Sequence, residues 1–158
     1  MAMSAGTEDA TLRQPLQVLF LCTGNSARSQ MAEAILRNLS HGQIVVESAG
    51  SAPRHDIHPM ARAAVRALLG IDMTGRHPKS LDQFRGRHFD YVITVCDGVA
   101  ETCPVFPGAV ERVHWSFEDP AVAIGTDADR QRAFNMVAKQ FITRIRLWLS
   151  VLTRTWTL

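Results

Sequence analysis

The chain has 158 residues, of which 46% are hydrophobic and 20% charged, and its 17 basic and 15 acidic residues leave a formal net charge of +2. This length and composition predict one globular domain around a single apolar core. No lysine- or arginine-rich block occurs, so a nucleic-acid-binding surface is not expected. The longest apolar run, residues 18–22, is far shorter than the about 20 residues that span a bilayer, which favours a cytoplasmic protein without membrane contact.

The first elements can be assigned from the apolar pattern. Residues 1–14 are small and polar, without a hydrophobic period, and predict a disordered extension ahead of a domain over 15–158. The apolar run 16–21 predicts a strand, and a polar, glycine-containing loop follows it over 22–29. The next residues, 30–40, have helical spacing. The chain therefore begins with strand, loop and helix.

The remaining elements continue this alternation. In chain order we predict a strand at 44–47, a helix at 59–69 stopped by Gly70, a short helix at 80–84, strands at 90–95 and 110–115, and a long helix from about 126. The last helix should bury one face formed by Phe134, Val137, Phe141, Ile145, Trp148 and Val151. Alternating strands and helices predict an α/β domain with a parallel four-stranded sheet, helices on both faces and a ligand site at the carboxyl edge.

The loop after the first strand has the composition of an oxyanion site. Cys22 and Arg28 are separated by five residues between a strand and a helix, so the loop amides and the positive helix end can surround a tetrahedral anion. Gly24 and Asn25 are expected to tolerate the left-handed backbone conformation that this loop needs. The Arg28 guanidinium should donate hydrogen bonds to two oxygens of the anion. The Ser29 hydroxyl is placed to donate to a Cys22 thiolate. The predicted oxyanion-binding residues are Thr23, Gly24, Asn25, Ser26, Ala27, Arg28 and Ser29.

These residues carry a resemblance to a known family. The segment VLFLCTGNSARSQMAEAIL resembles the phosphate-binding loop of the low-molecular-weight protein tyrosine phosphatase superfamily, especially its thioredoxin-coupled arsenate reductases, and the likeness extends from Leu16 to about Pro120. It implies a three-layer fold, Cys22 as the nucleophile, and arsenate as substrate with phosphate or sulfate as analogues. One difference is Ala27, where those reductases usually have a second, non-attacking cysteine.

A candidate acid lies in the stretch HWSFEDPA. Pro120 restricts Asp119 to an extended backbone that should point its side chain away from a helix. When an oxygen of the anion is displaced, the leaving group must be protonated by an acid. Asp119 matches the family's Asp-Pro motif and is the candidate for this acid. Alone, Asp-Pro is a common turn dipeptide. Glu118 is the neighbouring alternative.

The other two cysteines distinguish a reductase from a phosphatase. Three cysteines are an odd number for a static disulfide framework, and two thiols that join in a disulfide release two electrons, as arsenate reduction requires. Cys96 ends a strand at the predicted site edge, and Cys103 follows seven residues later. A helix would separate their Cα atoms by about 10 Å, beyond the roughly 4.4–6.8 Å of a disulfide, so the segment must rearrange to join them. Gly98 and the nearby prolines permit this.

The segment VITVCDGVAETCPVFP resembles the family's resolving-cysteine region. The implied cycle is attack by Cys22 on arsenate, attack by Cys96 with release of arsenite, and attack by Cys103 on Cys96 to leave an exposed disulfide. Thioredoxin, a glutaredoxin-like protein or another reduced thiol would supply electrons, and no tightly bound cofactor is expected.

Two other functions remain open. A phosphatase for phosphotyrosine or small esters would use Cys22, Arg28 and Asp119 alone, and a non-catalytic oxyanion or redox sensor would use the loop and disulfide without turnover.

Metal binding receives little support from the sequence. Asn25, Glu33 and Ser48 match positions that surround a structural potassium ion in some relatives, but no further acidic ligand occurs between Gly75 and Leu81. The six histidines lack metal-ligand spacing and are expected at the surface or in satisfied positions: His41, His55, His58, His77, His88 and His114. Trp115 and Phe117 are expected in the core or in the wall of the site.

Overall fold

A computed structural model describes residues 14–98 and 102–155, with side chains described through Leu152. The predicted N-terminal extension therefore lies outside the described residues, apart from Gln14, and part of the segment between Cys96 and Cys103 does too. The described residues contain four strands and three α-helices in alternating order, together with two short 3-10 helices.

The sheet has four parallel strands, as the alternation predicted. The strands are β1 (Gln17–Cys22), β2 (Val45–Gly50), β3 (Phe89–Thr94) and β4 (Ala109–His114). Their order is β2-β1-β3-β4, and every neighbouring pair is parallel. All carboxyl ends therefore lie along one edge, where α/β folds bind ligands.

The central strand β1 is buried on both faces because an apolar cluster packs against each face of the sheet. Val18, Phe20 and Cys22 point into the larger apolar cluster, whereas Leu19 and Leu21 point into a smaller cluster on the opposite face. This alternation is the period of two of a strand. It places the Cys22 side chain on the same face as the larger core.

The helices begin and end close to their predicted positions. They are α1 (Arg28–Leu39), α2 (Pro59–Leu69) and α3 (Asp127–Thr155), with 3-10 helices at Leu81–Phe84 and Pro120–Val122. The predicted bounds of α2 are confirmed: Pro59 occupies its first turn, and Gly70 ends it with a φ of 66°. A left-handed residue closes a helix in this way, and glycine adopts it without strain.

The two faces of the sheet are covered differently. Residues of all three α-helices contribute to the larger cluster. The first 3-10 helix and Phe106 cover the smaller cluster. The ring of Phe89 makes edge-on contacts there, with its centroid 5.9 Å from that of Phe84 and 5.7 Å from that of Phe106. The predicted α/β class is confirmed, and among the described residues the second face carries a single 3-10 turn instead of a full α-helix.

The long helix α3 packs through the predicted face with one correction. Phe134, Phe141 and Ile145 are completely buried, but Val151 is 54% exposed and Leu152 is only 4% exposed. The helical period of 3.6 residues carries the buried face from Ile145 to Leu152, so the predicted Val151 was wrong by one position. Despite its 29 residues, α3 is too polar to cross a bilayer, and no other described helix meets that requirement.

Candidate active site

The loop between β1 and α1 turns its carbonyl groups away from Cys22. Three of these carbonyls accept hydrogen bonds from the segment after β2: Thr23 from Ala52 (3.0 Å), Gly24 from Arg54 (2.9 Å) and Ser26 from His58 (2.9 Å). Each peptide is planar, and none of the described ones is cis, so the N–H that follows a carbonyl points the opposite way. The amides of Gly24, Asn25 and Ala27 are therefore directed to the inner side of the loop, as an anion cradle requires.

The conformation of the loop differs in one detail from the sequence prediction. Asn25 has a φ of 47°, so the predicted left-handed residue is confirmed there, whereas Gly24 does not have a positive φ and that prediction was wrong. A Cβ at Gly24 would lie 3.2 Å from the Arg54 side chain, so glycine at this position permits the close approach of Arg54. Gly50 at the end of β2 is also required, since its Cβ would lie 2.4 Å from the Thr23 carbonyl oxygen.

The Cys22 sulfur receives hydrogen bonds from two sides. The Asn25 amide donates to Sγ at 3.2 Å, and the Ser29 Oγ lies 2.8 Å from it. Ser29 Oγ already accepts a hydrogen bond from Asn25 Nδ2 at 2.8 Å, which leaves the serine proton for the sulfur. Donors that converge on sulfur stabilise a thiolate more than a thiol. The predicted placement of the Ser29 hydroxyl next to the Cys22 sulfur is confirmed.

Arg28 and Asp119 lie on the same side of the loop. Arg28 is 5% exposed, its Nη1 donates to the Phe117 carbonyl at 3.2 Å, and its Nη2 lies 3.7 Å from Asp119 Oδ2. The Asp119 backbone is extended, as predicted, with φ −76° and ψ 110°. Its side chain was expected to point away from a helix, but Oδ1 accepts from the Ala121 amide at 2.9 Å and caps the second 3-10 helix. This cap fixes the carboxylate and leaves Oδ2 facing Arg28.

All three cysteines contact one apolar cluster. Cys22 and Cys96 are 2% and 0% exposed within it, and the half-buried Cys103 packs against it. The Cys96 sulfur lies 4.0 Å from the Leu21 carbonyl oxygen, next to the peptide that leads into Cys22. The predicted position of Cys96 at the carboxyl edge is confirmed. The rearrangement predicted between Cys96 and Cys103 involves residues 99–101, which lie outside the described part of the chain.

A cavity of about 420 Å³ opens over the loop. Its lining residues are Cys22, Thr23, Gly24, Asn25, Ser26, Ala27, Arg28, Ala52, Arg54, His58, Asp119 and Ala121. It contains the thiol, two arginines and a carboxylate, whereas Glu118, the alternative acid, lines a neighbouring cavity instead. The arrangement suits nucleophilic attack by sulfur on a tetrahedral oxyanion.

Comparison with known sequences agrees with this geometry. The profile of the low molecular weight phosphotyrosine protein phosphatase family matches residues 17–155. The chain belongs to this family. A Halalkalibacterium halodurans protein named arsenate reductase is 40% identical over 82% of this chain and 91% of its own length. An arsenate reductase of Bacillus subtilis is 36% identical over the same shares of the two chains.

Solved structures of similar proteins agree with this comparison. An arsenate reductase in a phosphate-binding state has a TM-score of 0.69 at 29% identity, over 85% of this chain and 97% of that chain. A thioredoxin-dependent arsenate reductase from Corynebacterium glutamicum has a TM-score of 0.62 at 33% identity, over 88% of this chain and 63% of that chain. Both likenesses extend well beyond the anion loop.

Behind the family loop lies a buried polar network at the positions compared with a potassium site. Asn25 donates to Ser48 at 2.9 Å, and Ser48 donates to Glu33 at 3.1 Å. The other Glu33 oxygen accepts from Lys79 Nζ at 3.1 Å and from Arg37 at 3.2 Å. Two cations already neutralise this carboxylate, so the residues do not fit an additional potassium ion.

The sequence analysis missed the two polar cavity residues outside the loop and the Asp-Pro motif, namely Arg54 and His58. Both belong to the segment after β2, whose carboxyl end lies at the same sheet edge as that of β1. His58 was expected to be a surface or satisfied histidine. The second description is confirmed, because its Nδ1 accepts from the Met60 amide at 3.1 Å and caps α2, and its ring lies 4.4 Å from that of Phe134. No cluster of metal-binding side chains occurs among the described residues.

His58 should make stability depend on pH. Burial lowers its pKa below the ordinary 6.5, with Arg130 and Arg54 acting in the same direction and Asp119 opposing them. The unfolded chain then binds the proton more readily, so this contribution to stability is present above about pH 6.5 and is lost as the pH falls. Protonation of Nδ1 also removes the helix cap.

The matched variant is His58→Asn, because asparagine caps a helix without titrating. We expect a smaller loss of unfolding free energy between pH 7.5 and 5.5 than in the parent, measured by urea denaturation, although the lost ring contact lowers stability at both values. An unchanged difference between the two pH values would contradict the assignment.

Proposed function

We propose that the chain reduces arsenate to arsenite through a relay of Cys22, Cys96 and Cys103. The observation that carries this proposal is the placement of two further cysteines at the apolar cluster that contains the anion-loop cysteine. Relatives named arsenate reductase, at 36% and 40% identity, support the same activity. A phosphatase would require Cys22, Arg28 and Asp119, and would leave Cys96 and Cys103 without a role.

The first step is attack by the Cys22 thiolate on arsenate. A sulfur–arsenic bond forms and one arsenic–oxygen bond breaks. The inward amides of Gly24, Asn25 and Ala27 and the Arg28 guanidinium stabilise the negative charge on the remaining oxygens. The departing group is a hydroxyl of hydrogen arsenate, and it leaves as water after it takes one proton from Asp119, whose fixed Oδ2 faces the cavity beside Arg28. Ser29 stabilises the thiolate before attack.

The second step transfers the electrons. Cys96, as a thiolate, attacks the Cys22 sulfur, a disulfide forms between them, and the sulfur–arsenic bond breaks with its electron pair left on arsenic. Arsenic is thereby reduced by two electrons and departs as arsenite, while two thiols are oxidised. The contact of Cys96 with the Leu21 carbonyl supports an attack over a short path.

The third step regenerates the nucleophile. Cys103 attacks the Cys96 sulfur, a new disulfide forms between these two residues, and Cys22 leaves as a thiolate. Cys103 is more exposed than the other two cysteines, which supports its role in passing oxidation to the surface. An external dithiol then reduces the disulfide by exchange and is itself oxidised.

Thioredoxin is the proposed donor, with a glutaredoxin-like protein as the alternative. The similar Corynebacterium glutamicum protein is a thioredoxin-dependent arsenate reductase. The reaction needs no tightly bound cofactor, since both electrons come from thiols, and the Glu33 contacts argue against a requirement for potassium. A reducing cytoplasm would keep the three cysteines as thiols between cycles.

The test is arsenate-dependent NADPH consumption with thioredoxin and thioredoxin reductase, run beside hydrolysis of p-nitrophenyl phosphate. We expect consumption in the wild-type protein and its loss in Cys96→Ser, because this variant lacks the thiol that displaces arsenic from Cys22. The same variant should retain any ester hydrolysis, which does not use Cys96.

Dithiothreitol serves as a second electron donor, with arsenite measured directly. Release of no arsenite from either donor would refute the proposal. Brisk ester hydrolysis in that case would identify a phosphatase, and inactivity toward both substrates would favour a sensor.

A further inference from the structure

The segment after β2 is tied to the anion loop by its backbone. The Arg54 amide donates to the Gly24 carbonyl at 2.9 Å, and the Ala52 amide donates to the Thr23 carbonyl at 3.0 Å. These bonds fix the position of the Arg54 backbone relative to the Cys22 loop. The backbone of the exposed Arg54 is therefore held next to the Cys22 loop.

The Arg54 side chain lies directly over Gly24. A Cβ built on Gly24 would be 3.2 Å from both Cγ and Nε of Arg54 and 3.3 Å from its Cδ. A side chain at position 24 would require Arg54 to shift by a few tenths of an ångström, so Gly24 permits Arg54 to approach the loop this closely. The arginine stem lies against the loop backbone, and the exposed Arg54 lines the same cavity as the buried Arg28 and Cys22.

The two arginines of the cavity differ in their contacts. Arg28 is buried, donates to the Phe117 carbonyl and lies 3.7 Å from Asp119. No carboxylate among the described residues lies within ion-pair distance of Arg54. The positive charge of Arg54 contributes to the lowered pKa of His58. The guanidinium of Arg54 therefore has donors available for an incoming anion, and its charge acts at the point of entry.

We propose that Arg54 is a second oxyanion-binding arginine, which captures free arsenate at the cavity mouth and favours it over aryl phosphate esters. The selectivity rests on the proposed function. Free arsenate has four oxygens, so the oxygen farthest from Cys22 can accept a hydrogen bond from Arg54. In an aryl ester the corresponding oxygen carries a ring, and the cavity lining contains no phenylalanine, tyrosine or tryptophan to receive it.

The first test measures phosphate binding to the reduced protein by calorimetry, because phosphate binds without being reduced. We expect Arg54→Gln to weaken phosphate binding about fivefold to tenfold, the range for a charged hydrogen bond discounted for exposure. Arg54→Lys should recover part of the affinity. Arg146→Gln, at an exposed position on α3 outside the cavity lining, is the matched control and should bind phosphate normally.

The second test separates binding from chemistry. In Arg54→Gln the KM for arsenate should rise by the same factor as the phosphate Kd, with kcat changed less than about twofold, since the lost contact acts mainly on binding. Added salt should weaken arsenate binding less in this variant than in the wild-type protein. A fall in kcat at unchanged KM would overturn the binding role.

The outcomes distinguish the two proposals. Phosphate affinity within twofold of wild type in Arg54→Gln refutes the inference, whether or not arsenate is reduced. Weakened phosphate binding without any arsenate reduction supports the anion contact and refutes the proposed function. An equal or greater loss in binding of p-nitrophenyl phosphate would overturn the selectivity, because it would place the ring against Arg54.

Discussion

Replacement of Cys22 by serine should abolish arsenate reduction while the oxyanion site stays formed. A serine hydroxyl is a far weaker nucleophile than a thiolate at neutral pH, and it cannot be displaced from arsenic as one half of a disulfide. We expect reduction to fall by at least about 10⁴-fold, as is typical when a catalytic nucleophile is removed. The measurement is arsenite release with excess dithiothreitol, so that the identity of the protein donor does not affect the result.

The control for Cys22→Ser is phosphate binding. The amides directed into the loop and the Arg28 guanidinium do not depend on the sulfur, and a serine oxygen can still accept from Asn25 and Ser29. Calorimetry should therefore give a phosphate Kd within a few-fold of the parent, and circular dichroism should be unchanged. Residual reduction above about a tenth of the wild-type rate would mean that another group attacks arsenate.

The fold could be predicted from local pattern because each element buries one face. The uninterrupted apolar run of β1 and the proline and glycine that bracket α2 are local signals, and they located both elements to within a residue. The error at Val151 arose near the end of a 29-residue helix. Near the end of a long helix, an error of one residue in assigning the buried face exchanges an exposed side chain for a buried one.

The site could be predicted only where it is continuous in sequence. The Cys22 loop carries its thiol, its arginine and its serine within eight positions, so strand-loop-helix context was sufficient. Arg54 and His58 come from the loop after β2, and no local pattern marks them as part of the same cavity. Gly24 illustrates the same limit, because the side chain that approaches it closely, Arg54, is 30 positions away in the sequence.

The Asp119 side chain also shows what a dipeptide cannot specify. Proline correctly predicted the extended backbone, but the direction of the carboxylate depends on the Ala121 amide and on Arg28. One oxygen is used by the helix cap and the other faces the cavity. In its proposed role as proton donor, a carboxyl group that is fixed in this way loses little entropy when the anion binds.

Replacement of Cys103 by serine should stop the enzyme after a single turnover. The first two steps do not use Cys103, so one equivalent of arsenite should appear in a burst. The Cys22–Cys96 disulfide then has no internal thiol to resolve it, and a serine hydroxyl does not take part in disulfide exchange. Because Cys22 and Cys96 are 2% and 0% exposed, an external thiol has poor access to that disulfide. The stalled state should therefore persist in the presence of thioredoxin.

Rapid-quench measurement of arsenite, followed by peptide mapping without reduction, tests this expectation. The stalled Cys103→Ser protein should yield one cross-linked pair of peptides, joined through Cys22 and Cys96. Cys96→Ser is the matched comparison, since it lacks the resolving thiol and should give neither the burst nor the cross-link. Multiple turnovers by Cys103→Ser at the wild-type rate would contradict the relay, because they would require the buried disulfide to be reduced directly from solution.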